Sequence, residues 1–273
     1  MIPWRLSLWA AATTLLVTAG VLPVGAALIA SFNPESRIFG APLLDFRALT
    51  LVHYRALFET RDFWLPIRNS LIVAGSTTVL AVTIGGLCAY SIERLMFRGK
   101  AVILAAVLAV SVFPQIAIVS PLYLVLREVH LIDTYPGVVL PYLTFATPLS
   151  VWLLAGFLRQ VPIEIEEAAL VDGASRLQVL GRIVLPIAMP GVMATAILTF
   201  LYCWNEFLFA LSFTLGPERQ TVPVAIALFR GQYQVPWGQV LAAAIVATIP
   251  VAFLVMIAQR RIVQGLTAGS IKK

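Results

Sequence analysis

Residues 167 to 186 read EAALVDGASRLQVLGRIVLP, a polar and amphipathic stretch set between two long apolar runs. In physical terms it is two short helices joined at a turn. Pro162 supplies a helix start just upstream, and Glu164, Glu166 and Glu167 load the first turns with acid, where the helix dipole favours it. Ala168, Ala169 and Leu170 carry the helix to Gly173, which suits the left-handed position that closes a helix. Ser175 can cap a second helix, whose apolar residues Leu177, Leu180, Ile183 and Val184 recur at helical spacing. Pro186 is expected to end it.

Outward from this stretch the chain is mostly membrane. Of 273 residues 60% are hydrophobic and only 12% charged, with a mean hydropathy of +0.93, far from the balance of a soluble globular domain. A hydrocarbon core takes roughly 20 apolar helical residues to cross, which predicts spans at about 8–31, 69–92, 101–126, 137–158, 191–213 and 238–259. Each is a continuous apolar run, so these are helices rather than the short alternating segments of a membrane barrel. The first is too long for a signal h-region of about 7 to 15 residues and is expected to be retained. The expectation is an all-α integral membrane protein, one domain over 1–273. It has sizeable connections at 32–68 and 214–237 on one side, a loop at 159–190 on the other, and a tail at 260–273.

Charge orients it. Arg5, Arg94, Arg98, Lys100, Arg159, Arg176, Arg182, Arg260, Arg261, Lys272 and Lys273 lie on the side of the termini and the 159–190 loop. The other side carries Arg37, Arg47, Arg55, Arg61, Arg68, Arg127, Arg219 and Arg230. Basic loops stay inside, so both termini are expected in the cytoplasm. The basic residues are scattered between loops, which argues against nucleic acid as a partner. Cys88 and Cys203 fall inside apolar spans, where a thiol behaves as a small hydrophobe, and neither a disulfide nor a metal site is expected. No G-x-x-x-x-G-K-[ST] loop is present to cradle a nucleotide.

Glu167, Ala168, Ala169, Gly173, Ile183, Leu185 and Pro186 fit the pattern E-A-A, three residues, G, nine residues, I-x-L-P without a mismatch. This resembles the cytoplasmic coupling loop by which permease subunits of ATP-binding-cassette importers grip their ATPase partners. The ending Gln259-Arg260-Arg261-Ile262-Val263-Gln264-Gly265-Leu266-Thr267-Ala268-Gly269-Ser270 looks like that of carbohydrate permeases of the maltose and trehalose type, in their second-subunit form. The resemblance implies a type I importer permease fold of six spans in a bacterial or archaeal cytoplasmic membrane. Glu167, Ala168, Ala169, Asp172, Gly173, Ile183, Leu185 and Pro186 would dock the ATPase. The implied partners are a second permease, two ATPases and an extracytoplasmic sugar-binding protein. ATP and Mg would belong to the ATPases, with no cofactor and no catalysis in this chain. The tail would touch the ATPase pair, or anchor near anionic lipid. Without the resemblance, the loop could equally be a connector lying flat on the lipid headgroups.

An ionisable residue inside a span is a functional candidate because leaving it in lipid is costly. Sixteen residues at about 1.5 Å each place Glu206 roughly 24 Å above Pro190 along the fifth span. Its neighbours Trp204 and Asn205 add the aromatic surface and hydrogen-bonding groups that a sugar needs, although adjacent helical positions diverge by about 100° and cannot all face one way. Gln115 and Tyr123, in the third span, are further pathway candidates. The mix of Glu218, Arg219, Gln220, Arg230, Gln232, Tyr233 and Gln234 suits contact with a delivery protein. Two other classes compete. An ion-coupled secondary transporter would need a midplane ion site and internal repeats, and a membrane enzyme would need more than His53 and His130 beside loops.

Overall fold

A computed structural model of the chain describes residues 3–38, 49–229 and 235–268, the side chains at 3–8, 37 and 258–268 excepted. Among the described residues the regular structure is helical, in the order α1 (Pro3–Ser31), a 3-10 turn (Glu35–Arg37), α2 (Val52–Glu59), α3 (Trp64–Arg94), α4 (Lys100–Val112), α5 (Gln115–Glu128), α6 (Tyr135–Leu158), α7 (Ile163–Val171) and α8 (Arg176–Val179). A π turn (Leu180–Val184) then leads into α9 (Leu185–Trp204), followed by α10 (Leu208–Phe213), α11 (Val222–Ala227) and α12 (Trp237–Ala268). Among the described residues five stretches are long and apolar enough to cross a membrane: Trp9–Ser31, Trp64–Arg94, Tyr135–Leu158, Arg176–Trp204 and Trp237–Ile257. A sixth is counted if α4 and α5 are taken together.

Three expected features come out differently. The run at 101–126 is broken, with α4 and α5 meeting at 95° around Pro114. Phe113 takes an extended ψ of 134°, as sterics demand of the residue before a proline. The fifth span stops at Trp204 instead of running to 213. Pro186 does not end the second helix of the loop, since Arg176–Trp204 is continuous through the π turn. There the Leu185 N–H reaches back to the Leu180 carbonyl, and the wider turn leaves room at the next position for a residue with no N–H to give.

The chain divides into two compact units. One comprises residues 1–64 and 226–249. In it the Glu35 carboxylate accepts from the Trp237 and Gly238 N–H groups at 2.7 and 2.9 Å, capping the N-terminus of α12. His53 meets the Asn33 carbonyl at 2.9 Å, and its ring lies so close to Gly238 that a Cβ there would sit 2.3 Å from it.

The other unit comprises 65–225 and 250–273. Its core is where α3, α6 and α9 meet at small residues. A Cβ on Gly85 would lie 2.8 Å from Ser150 Cβ, and one on Gly191 would lie 2.3 Å from the Phe157 ring. Small residues of this kind let membrane helices approach closely, and polar ones bond across the gap. The Ser150 and Thr199 hydroxyls are paired at 3.1 Å.

Candidate functional site

The 159–190 segment is built from its two ends toward its tip. Asp172 closes α7, with the Gly173 N–H bonded to Leu170 O at 3.1 Å and the Ala174 N–H to Ala169 O at 3.0 Å. This is the paired bonding of a Schellman closure. Gly173 has φ +88°, a conformation that costs a residue with a Cβ about 1–2 kcal/mol. Ser175 then caps α8 in a reciprocal box with Gln178: Ser175 N–H donates to Oε1 at 2.8 Å and Gln178 N–H to the Ser175 hydroxyl at 3.4 Å. Glu167, Ala168, Asp172 and Gly173 are all exposed along this tip. Val171 and Leu177 beside them are 87% and 77% exposed.

The base of the element is tightly held. Val179 and Val184 are fully buried in one cluster with Ala89, Tyr90, Leu158 and Val161, and Ala169 and Leu170 of α7 pack against it. Beside this cluster Arg94 Nε donates to Glu166 Oε1 at 2.5 Å. Arg94 Nη2 donates to the Leu158 and Val161 carbonyls at 2.8 and 2.7 Å, and the Tyr90 hydroxyl donates to Glu166 Oε2 at 3.2 Å. The two charged side chains are 8% and 5% exposed. Glu166 is therefore a buried ion-pair partner rather than an exposed acid serving the helix dipole. A second pair, Arg159 with Glu93 at 2.8 Å, leaves the arginine side chain 60% exposed. The hydrogen bond and charge of Glu93 hold the Arg159 guanidinium above its ordinary pKa.

The motif thus divides. Its first half, Glu167 to Gly173, forms the exposed tip, while Ile183 lies in the π turn and Leu185 and Pro186 open α9. Leu185, with Leu180 and Val184, borders an apolar cavity of about 300 Å³ between α3, α6 and α9.

Within the spans, a cleft of about 540 Å³ is lined by Gln115, Leu201, Tyr202, Asn205, Glu206, Phe207 and Leu208. It unites Gln115, Asn205 and Glu206. The break after α9 makes this possible: the Asn205 side-chain amide donates to Leu201 O at 2.8 Å, closing α9. The Glu206 carboxylate accepts from the Phe209 and Ala210 N–H groups at 2.8 and 3.2 Å, opening α10. Gln115 Nε2 donates to the Tyr202 hydroxyl at 2.6 Å.

Two pathway candidates lie elsewhere. Trp204 is buried and stacked on Phe200, with ring centroids 5.6 Å apart. Tyr123 stacks on Phe213 at 6.5 Å, at the end of a row of rings continued by Phe209 and Phe145.

Part of the 214–237 connection is pinned to this unit. The Asn69 amide donates to the Glu218 and Gln220 carbonyls, both at 2.9 Å, while its oxygen accepts from the Tyr135 hydroxyl at 2.8 Å. The Arg219 guanidinium lies 4.5 Å from the centre of the Tyr135 ring. Arg230, Gln232, Tyr233 and Gln234 lie outside the described residues, as do the side chains of the 260–273 tail.

An anchored helical element with an exposed tip, joined to spans beside a cleft that carries Gln115, Tyr202, Asn205 and Glu206, is the arrangement of a transport permease. The chain belongs to the binding-protein-dependent transport system inner membrane component family, whose model matches residues 81–268. It is 41% identical over 270 residues to the trehalose transport system permease protein of Mycobacterium tuberculosis, covering 98% of both chains. To the trehalose/maltose transport system permease protein of Thermococcus litoralis it is 38% identical, over 90% of this chain and 89% of the relative. The fold superposes on the crystal structure of a bacterial ABC transporter involved in the import of the acidic polysaccharide alginate with a TM-score of 0.78, at 19% identity, covering 95% of this chain and 98% of the other. The importer-permease fold expected from the sequence is the fold found.

Proposed function

We propose that this chain forms one half of the translocation pathway of an ATP-driven importer for a disaccharide of the trehalose or maltose type. A second permease supplies the other half. Two ATPases, which hold the ATP and Mg, dock at the 167–173 tip, and an external sugar-binding protein delivers the substrate. Both termini and the tip face the cytoplasm, in keeping with the excess of basic residues on that side. The chain itself makes and breaks no covalent bond. It alternates the side to which the cleft opens as the ATPases close and part.

The observation that carries this reading is the tip: exposed apolar side chains at Val171 and Leu177 on an element whose base is buried and ion-paired. Exposed apolar side chains on an element anchored at its base suit contact with a partner. The sugar assignment rests on the relatives and on the chemistry of the cleft, where hydroxyl, amide and carboxylate groups stand beside the Phe207 ring. Each Glu206 oxygen already accepts from a backbone N–H group, a capping role that disfavours a secondary transporter built on this carboxylate.

The test is uptake of labelled trehalose and maltose by cells carrying or lacking this chain, combined with mass spectrometry of the polypeptides that co-purify with it. Uptake that persists with an ionophore and stops on ATP depletion, with an ATPase and a second permease recovered, is the expected result. Uptake abolished by the ionophore at normal ATP, or a chain recovered without an ATPase from a preparation that preserves such complexes, would overturn it.

A further inference from the structure

Three chain segments end at one guanidinium. Arg94 is the last residue of α3, and Tyr90 lies one turn before it on the same face. The Nη2 of Arg94 serves two carbonyls at the end of α6 and just beyond, Leu158 O, which also accepts from the Val161 N–H, and Val161 O. Its Nε serves Glu166 in the first turn of α7. The positive charge thus faces a carboxylate and the negative end of a helix dipole together. Between α6 and α7 the covalent connection is only Arg159–Pro162, whose N–H groups at 159, 160 and 161 bond back to Ala155, Phe157 and Leu158 of α6, so that its backbone bonds follow α6 rather than α7. The apolar cluster beneath α7 holds it against the spans, but apolar contact is non-directional. A planar fork bonded to two elements at once fixes direction as well.

We infer that Arg94 is a positioning residue of the transport cycle: together with Glu166 and Tyr90 it makes the end of α3, the end of α6 and helix α7 move as one body, so that a displacement of the tip reaches the cleft. This inference rests on the ATPase-docking reading above. Buried ion pairs are poor stabilisers, because well-packed apolar replacements often serve stability equally well. What the pair supplies is a fixed orientation between the docking helix and two spans. The exposed Arg159–Glu93 pair spans the same two elements of the membrane region but is open to solvent screening, and it serves as the control.

The experiment uses the assembled importer in proteoliposomes: this chain with its second permease, ATPase and binding protein, with sugar uptake and ATP hydrolysis read from the same sample. Arg94→Lys keeps the charge but not the fork, and the paired replacement Arg94→Met with Glu166→Leu removes the charge burial altogether. Both are expected to retain the ATPase at the wild-type ratio and to go on hydrolysing ATP, while uptake per ATP falls at least tenfold. Arg159→Ala should leave that ratio unchanged. Overturning results would be an unchanged ratio in both Arg94 variants, or uptake and hydrolysis falling in proportion, which would assign the pair to folding alone. Loss of the ATPase on purification would assign it to the docking surface, also against the inference. If the wild-type chain recruits no ATPase, the docking reading itself fails, whatever the variants do.

Discussion

Replacing Glu206 with alanine removes the acceptor for two buried N–H groups at once, those of Phe209 and Ala210. An orphaned buried donor costs about 1–3 kcal/mol, so the gross penalty is about 2–6 kcal/mol. The cleft beside Glu206 has a volume of about 540 Å³, ample room for water to rehydrate one of the two, which places the expected loss near the lower end, about 2–3 kcal/mol. Glu206→Gln keeps one carbonyl oxygen and should lose about half as much. The assay is the thermal midpoint of the purified chain in mild detergent, followed by tryptophan fluorescence, alongside sugar uptake by the same variants. The expected order of midpoints is wild type, then Gln, then Ala, with uptake following it. An alanine variant as stable as wild type but devoid of uptake would refute the capping argument and make Glu206 a direct ligand of the sugar.

Gly173 has open space around it within this chain, so Gly173→Asn, which tolerates a left-handed φ, should cost less than about 1 kcal/mol of stability. Gly173→Leu should insert normally yet fail to retain the ATPase; normal uptake by that variant would remove the tip from the docking surface. Asn69→Ala deletes three hydrogen bonds, about 1.5–4.5 kcal/mol in sum. It should expose the peptide bond after Arg219 to trypsin added to right-side-out membranes, at a rate at least several-fold above wild type. Gly191→Ala drives a Cβ to 2.3 Å from the Phe157 ring and should reduce the folded, detergent-extractable fraction. The double variant with Phe157→Ala should recover it, and failure of that recovery would mean the α6–α9 approach is not what requires the glycine.

Much of this was legible in the sequence, for reasons that can be named. The spans corresponding to α3 and α6 are long apolar runs whose prolines stay helical: Pro141 and Pro148 lie inside α6, where neighbours re-satisfy the freed backbone. Pro114 carries the same local signal and bends the chain by 95°. Nothing within a few residues separates the two outcomes, because what decides is whether another helix covers the gap. The break after Trp204 did leave a trace. Asn205 is a residue type that can close a helix, but it stands in an apolar run with neither glycine nor proline. The buried role of Glu166 was hidden because the acids at 164, 166 and 167 are alike as residues. Only the approach of Arg94, 72 positions away, distinguishes the middle one. In the motif, the alternation of exposed tip and buried base depends on which face meets the cluster of Ala89, Tyr90 and Leu158, and that is settled by packing.

The π turn at Leu180–Val184 has a geometric corollary for how the docking tip is aimed. A helix turns about 100° and rises about 1.5 Å with each residue. A π turn closes over i→i+5 and so absorbs one extra residue within a single turn; removing one residue from it would restore regular winding with Arg176–Val179 at nearly the same bearing about the axis of α9, whereas removing one from the regular helix beyond would swing it through more than a quarter of a circle. In this stretch, unlike the regular helix on either side, the loss of one residue is taken up without a change of azimuth. The bearing on which the tip leaves the membrane is therefore preserved despite a single surplus peptide unit.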